Sequence, residues 1–165
     1  MKRYILTLII AVFALMQAAA QTYDNLWKQA DIIARKDQPR SEIGVMKKII
    51  SKASAAKDYG QLLAAEMRQM ILWKEISADS LMPNVERMEA EVLKVKDPAV
   101  KAVRYAVLGK VYRDMNEKKS EEFFKKALQQ PELLAKHTST EYVPLTLKGV
   151  DGSSFNNDLL HLIGF

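Results

Sequence analysis

The sequence contains no cysteine. That excludes a disulfide scaffold, a thiolate metal site, a cysteine nucleophile and a lipid-modified N-terminal cysteine. Histidine is almost as scarce. His137 and His161 are the only two, they lie far apart in the chain, and neither sits in an H-x-x-x-H spacing. A metal site needs several convergent ligands, so no metal is expected, and no other cofactor. Six glycines and five prolines in 165 residues are too few for a collagen-like, low-complexity or disordered chain. G-x-S-x-G, Walker and H-E-x-x-H patterns are missing too, and no catalytic carboxylate pair stands out. The residues that usually carry chemistry are mostly absent, so the chain is not expected to be an enzyme and catalytic residues are not assigned.

What the sequence has in quantity is apolar and charged side chains, 48% and 27% of the residues. The first 20 residues read as a secretory signal peptide. Lys2 and Arg3 form a basic start, Tyr4 to Met16 is uncharged and apolar, and Ala18 and Ala20 supply the small residues of a cleavage site before Gln21. The apolar run falls short of the ~20 residues that span a bilayer, and no later run approaches that length. Export, to the periplasm or the cell envelope, is therefore expected, with no membrane span after cleavage. Removing Lys2 and Arg3 lowers the net charge from +5 to +3. So small an excess, spread along the chain, does not argue for nucleic acid.

The remaining chain repeats helical spacing. Tyr23, Leu26, Trp27, Ala30 and Ile33 mark a first amphipathic helix, and a break follows from Asp37 to Arg40. Ser41 and Glu42 open a second helix, with Ile43, Met46, Ile49 and Ala53 on one face. Lys57 to Gly60 reads as a turn. A third helix runs from about Gln61 to Ile76, and its wide apolar face predicts packing on two sides. Leu81, Val85, Met88, Val92 and Val95 form the stripe of a fourth. Asp97 caps a fifth, from Ala99 to about Met115. Ser120 caps a sixth, which Pro131 ends or kinks. The expected fold is mainly α: antiparallel helix pairs joined by short loops over residues 21–137.

Residues 138–165 behave differently and read as an irregular tail or the start of a following domain. Val143, Leu145 and Leu147 alternate with polar residues, but Pro144 argues against a central strand. Gly149 to Ser154 is turn-rich, and Leu159 to Ile163 suggests a short apolar helix. Asp151-Gly152-Ser153 followed by Asn156, Asn157 and Asp158 superficially suggests calcium. The order lacks the spacing and closing glutamate of an EF-hand loop, so a turn and a helix cap explain it better. Glu86, Glu89 and Glu91 read as a solvated helix face. Trp27, Tyr59, Trp73, Tyr105 and Tyr112 fit core positions better than a peptide groove, and the methionines read as core filler.

The fifth and sixth helices, with Leu108, Gly109, Tyr112, Phe124 and Ala127, resemble a tetratricopeptide repeat. Ser120 stands where that repeat usually has alanine, and Gly109 to Ala127 is one residue short of its spacing. On a larger scale, five segments in order resemble the N-terminal region of large exported bacterial alpha-2-macroglobulin family proteins. They are Tyr23 to Gln29, the Asp37 to Arg40 break followed by Lys47 to Ile50, Asp58 to Leu63, Lys101 to Gly109 and Phe155 to Phe165. The resemblance implies a helical module that precedes the macroglobulin domains of a protease inhibitor, its partner being the following domains. It carries over no inhibitory residue, and without cysteine there is no thioester. The alternative is a self-contained periplasmic helical-repeat adaptor for a peptide or protein ligand.

Overall fold

The computed structural model describes residues 22–146 and 157–164. The expected leader, with Ala18, Ala20 and Gln21, lies outside them, as do Leu147, the Gly149 to Ser154 stretch and Asn156. The described chain is mainly helical and has no strand. Six longer helices follow one another: α1 (Tyr23–Ala34), α2 (Pro39–Ala56), α3 (Tyr59–Ile76), α4 (Leu81–Lys94), α5 (Pro98–Tyr112) and α6 (Glu117–Ala127). Two short ones, α7 (Pro131–Leu134) and α8 (Leu159–Gly164), flank a 3-10 turn at Ser139–Tyr142. None of these helices is long and apolar enough to cross a membrane.

Side-chain caps set several starts. Thr22 accepts a hydrogen bond from the Asn25 amide, Asp58 from Gln61, and Asp97 from Ala99 and Val100. Each cap satisfies backbone donors that the helix itself leaves unpaired. Three expected boundaries move. Pro39 does not belong to a break; it is the first helical residue of α2, where its missing N–H costs nothing. Gly60 lies inside α3 and not in a turn, because Lys57 closes α2 in the left-handed region (φ 55°) and Asp58 caps α3 at once. Asn116, not Ser120, caps α6 by accepting from the Lys119 amide at 3.0 Å. Ser120 is one turn inside the helix and buried.

The core has three clusters. Leu26, Ile43, Met46 and Ile49 join α1 and α2 to Ala65 and Leu72 of α3. Met70 on another side of α3 meets Val85, Met88 and Val92 of α4, Leu108 of α5 and Phe123 of α6. Leu63 of α3 meets Val100 and Val103 of α5, Leu134, Tyr142, Leu159 and Ile163. The third helix therefore does pack on two sides. Its most extensive partner is α2, not α4, while α5 packs most extensively on α6. The apolar character of α3 is not all buried: Ile71 is 47% exposed.

Charged side chains link the layers as well. Glu42, buried on α2, accepts from Arg68 of α3 at 2.7 and 3.3 Å. That pairing holds the Arg68 guanidinium above its ordinary value. Arg104 of α5 and Glu66 of α3 are both buried and meet at 3.4 Å, with Glu91 of α4 at 3.8 Å from the same guanidinium. Burial pushes the Glu66 carboxyl up, and Arg104 opposes the shift. The glutamates of α4 are thus not all a solvated face. Glu91 reaches α5, and Glu89 accepts from the Tyr112 hydroxyl and, at 3.1 Å, from Lys119 of α6.

Candidate functional site

The site begins where α5 and α6 cross. A Cβ added at Gly109 would sit 2.9 Å from the ring of Phe124. The glycine is therefore a close-approach residue that lets the ring lie against the α5 backbone. Beside it the Ser120 hydroxyl donates to the Gly109 carbonyl at 2.7 Å. Arg113, the next residue that could serve this carbonyl in a regular helix, bonds back to Lys110 instead. Ser120 thus replaces the lost backbone donor, which explains a hydroxyl at this crossing.

The tail closes the other side. Thr138 and Asp158 form an isolated antiparallel bridge, with Ser139 donating to Asn157 and Leu159 to His137 at 2.6 and 2.9 Å. Glu141 completes a capping box with Thr138, and Asp158 accepts from the His161 amide at the start of α8. Leu159 is fully buried and Ile163 nearly so. The backbone at Tyr142 and Val143 lies directly on Gly60. A Cβ there would sit 2.6 Å from the Tyr142 carbonyl carbon and closer still to the Val143 oxygen.

Between α5, α6 and α8 this leaves an open groove of about 550 Å³. Val103, Ala106, Val107, Phe124, Leu128 and Leu162 give it an apolar floor, and Lys110 and Arg113 stand at its edge. The Arg113 guanidinium lies 5.7 Å from the Phe124 ring centre, a cation–π distance that orients the charge over the apolar floor. A shallower depression shares Arg113, Phe124 and Leu128 and extends the groove along α6. Its outer wall carries Glu117, Glu121 and Lys125.

The groove suits binding of a chain segment. Its floor offers apolar surface to remove from water, and its charged lining residues, Lys110 and Arg113, are cationic donors, with Thr146 the neutral polar side chain beside them. The residues considered for chemistry lie elsewhere. His137 pairs with Glu141 at 2.9 Å, and His161 with Asp158 at 2.8 Å. The His137 hydrogen bond holds the Glu141 carboxyl below the usual range, and the bond from the His161 amide does the same for Asp158. Asp158 is a helix cap. Its expected neighbours in a calcium reading, Asp151 to Asn156, lie outside the described residues. Among the described residues no three histidine, aspartate or glutamate side chains converge as a metal site would require.

Of the aromatics, Tyr112 is buried and stacks on Phe123 at 5.6 Å, while Trp27, Trp73, Tyr59 and Tyr105 pack half-buried against the core. None of the five lines the groove; its aromatic floor is Phe124. Lys110 and Arg113 were not singled out by their spacing, since two cations on a helix ordinarily face solvent. Only the approach of α8 makes them the rim of a groove. No protein-family model, curated protein or solved structure matches the chain.

Proposed function

We propose that the chain is a non-catalytic, exported helical docking module, the N-terminal part of an alpha-2-macroglobulin-like protease inhibitor. In this reading the helices form a tetratricopeptide-like solenoid, which is supported by the contacts of α3 with α2 and α4 and also with α5, its next-but-one neighbour, as between stacked hairpins. The observation that carries the docking role is the groove on α5, α6 and α8, with its apolar floor and the Lys110 and Arg113 edge. Its occupant is an apolar segment flanked by a carboxylate, supplied by the domain that follows. Charge complementarity at the edge sets the register of that segment. The ordered resemblance from Tyr23 to Phe165 supplies the protease-inhibitor context.

Immunoblotting of the native exported protein tests this reading. An antibody to the module detects a species far larger than 18.7 kDa, and its N-terminus, read by mass spectrometry, is Gln21. In that protein Ala106→Glu, which puts a charge on the groove floor, frees the module from its neighbour and exposes the junction to protease nicking. An unchanged nicking pattern would sink the groove as the docking site. A self-contained periplasmic adaptor is the second reading. Burial of Leu159 and Ile163 favours it, since the tail already seals the core. It requires a native species no larger than the chain itself.

A further inference from the structure

A second cleft lies on a different face of α5, outside the groove. Pro98, Lys101, Ala102 and Tyr105 recur at i, i+3, i+4 and i+7, so they share one helix face. The groove uses Val103, Ala106, Val107 and Lys110. Opposite them stand Lys126, Ala127, Gln129 and Gln130 from the C-terminal end of α6 and the residues after it, enclosing about 230 Å³. We propose that this cleft is a separate binding site for a carboxylate-rich segment of a partner protein.

Four features point to that ligand. The polar side chains lining the cleft are Lys101, Lys126, Tyr105, Gln129 and Gln130; no carboxylate lines it. Neither lysine makes an ion pair among the described residues, whereas the adjacent Lys125 is paired with Glu121 at 3.5 Å. The Lys126 ammonium is held over aromatic faces, 5.1 Å from the Phe123 ring centre and 5.9 Å from that of Tyr105. Those two rings stack at 6.0 Å, so the charge stands on a firm base. The helix ends contribute little, because Asp97 already caps α5 and the C-terminal end of α6 is the negative end of its dipole. The two lysines therefore supply the positive field.

The glutamines choose among anions. A primary amide both donates and accepts, which matches both halves of a peptide group flanking the bound carboxylate, whereas a fully ionised phosphate can use only its donor. A membrane surface is recognised by clusters of about 4–8 basic residues on an exposed face, and DNA by about 6–10 phosphate contacts. Two lysines facing each other across a small cleft fit neither. The site goes beyond the docking groove and does not depend on it.

The test uses the chain from Gln21 to Phe165 and a fluorescein-labelled hexaglutamate peptide, followed by fluorescence anisotropy. Binding is expected to saturate, to weaken as ionic strength rises, and to resist competition by hexaglutamine. Lys101→Glu with Lys126→Glu weakens it by about tenfold or more, roughly two lost ion pairs plus repulsion. The Lys101→Arg and Lys126→Arg pair keeps binding, and Lys110→Glu with Arg113→Glu at the groove leaves it unchanged. Amide shifts in the wild-type chain move at Lys101, Tyr105 and Gln129, a map that decides the matter even if the charge-reversed variant misfolds. Equal binding of hexaglutamine, loss on groove substitution, or shifts confined to Lys110 and Arg113 would overturn the proposal. So would displacement by inorganic phosphate beyond its ionic strength, or preferential binding to anionic phospholipid vesicles. Failure here leaves the groove intact, and failure of Ala106→Glu leaves this cleft intact.

Discussion

At Gly60 there is no room for a methyl group, because the backbone of Tyr142 and Val143 occupies its place. Backbone cannot rotate aside as a side-chain end can. Gly60→Ala is therefore expected to lift the tail from α3 and cost about 1–3 kcal/mol, the usual range for overpacking. Thermal melts and amide exchange at Leu159 measure both effects, and an unchanged melting midpoint would contradict the contact. Ser120 gives a subtraction instead. Ser120→Ala leaves the Gly109 carbonyl without its donor in a buried crossing, with an expected loss of about 1–3 kcal/mol. Denaturant unfolding reads it, and Ser120→Thr, which keeps the hydroxyl, should recover part of the loss. Gly109 is the glycine of the repeat-like pattern in the fifth and sixth helices, and it does lie where they cross. Sequence spacing missed Gly60, because Lys57 to Gly60 has turn composition and the residues that cover Gly60 lie far along the chain.

Among the elements, the short tail depends most visibly on charge. Its 3-10 turn and α8 are closed by Glu141 and Asp158, each held below its ordinary range by hydrogen bonds made in the folded state. The unfolded chain then binds more protons than the folded one at acid pH. This contribution is full above the ordinary carboxyl values of 4.5 and 3.8 and is lost as pH falls through the lowered ones. Acidification should loosen the tail before the α1–α3 cluster. NMR titration with amide exchange at Ser139 and Leu159 follows it, and simultaneous loss of protection in α2 would mean that the tail is no weaker than the rest. Glu141 is exposed and Asp158 partly so, so salt screens part of the effect. The helices themselves were legible as six amphipathic stripes. Their starts were less so: Pro39, Asn116 and Gly60 each carry a signal that fits either a cap or a break, and contact with the next helix chooses.

For the whole molecule, the decisive feature is that the described tail belongs to the main core. Leu159 and Ile163 share a cluster with Leu63, Val103 and Leu134. Ending the chain after Lys136 would remove Leu159 and Ile163 and uncover their partners Leu63, Val103 and Leu134, each fully buried apolar side chain being worth about 1.5–3 kcal/mol. The shortened chain should melt lower and self-associate, as exposed apolar patches do. Sedimentation velocity and thermal melts compare it with the longer chain. Monomeric behaviour with an equal midpoint would show that the tail is dispensable to the core.

The sequence by itself determined the mainly helical architecture, the number of long helices, and the stripe of each that turns inward. Periodicity and caps are local, and residues three or four apart share a face whatever lies beyond them. Only the tertiary structure decided which helices pair most closely, that Arg104 and Glu66 meet in the interior, and that the tail returns to α3. It also decided that Lys110 and Arg113 border a groove while Lys101 and Lys126 face each other across another cleft. Each of these joins side chains from different elements, and a helix stripe carries no information about which neighbour will cover it.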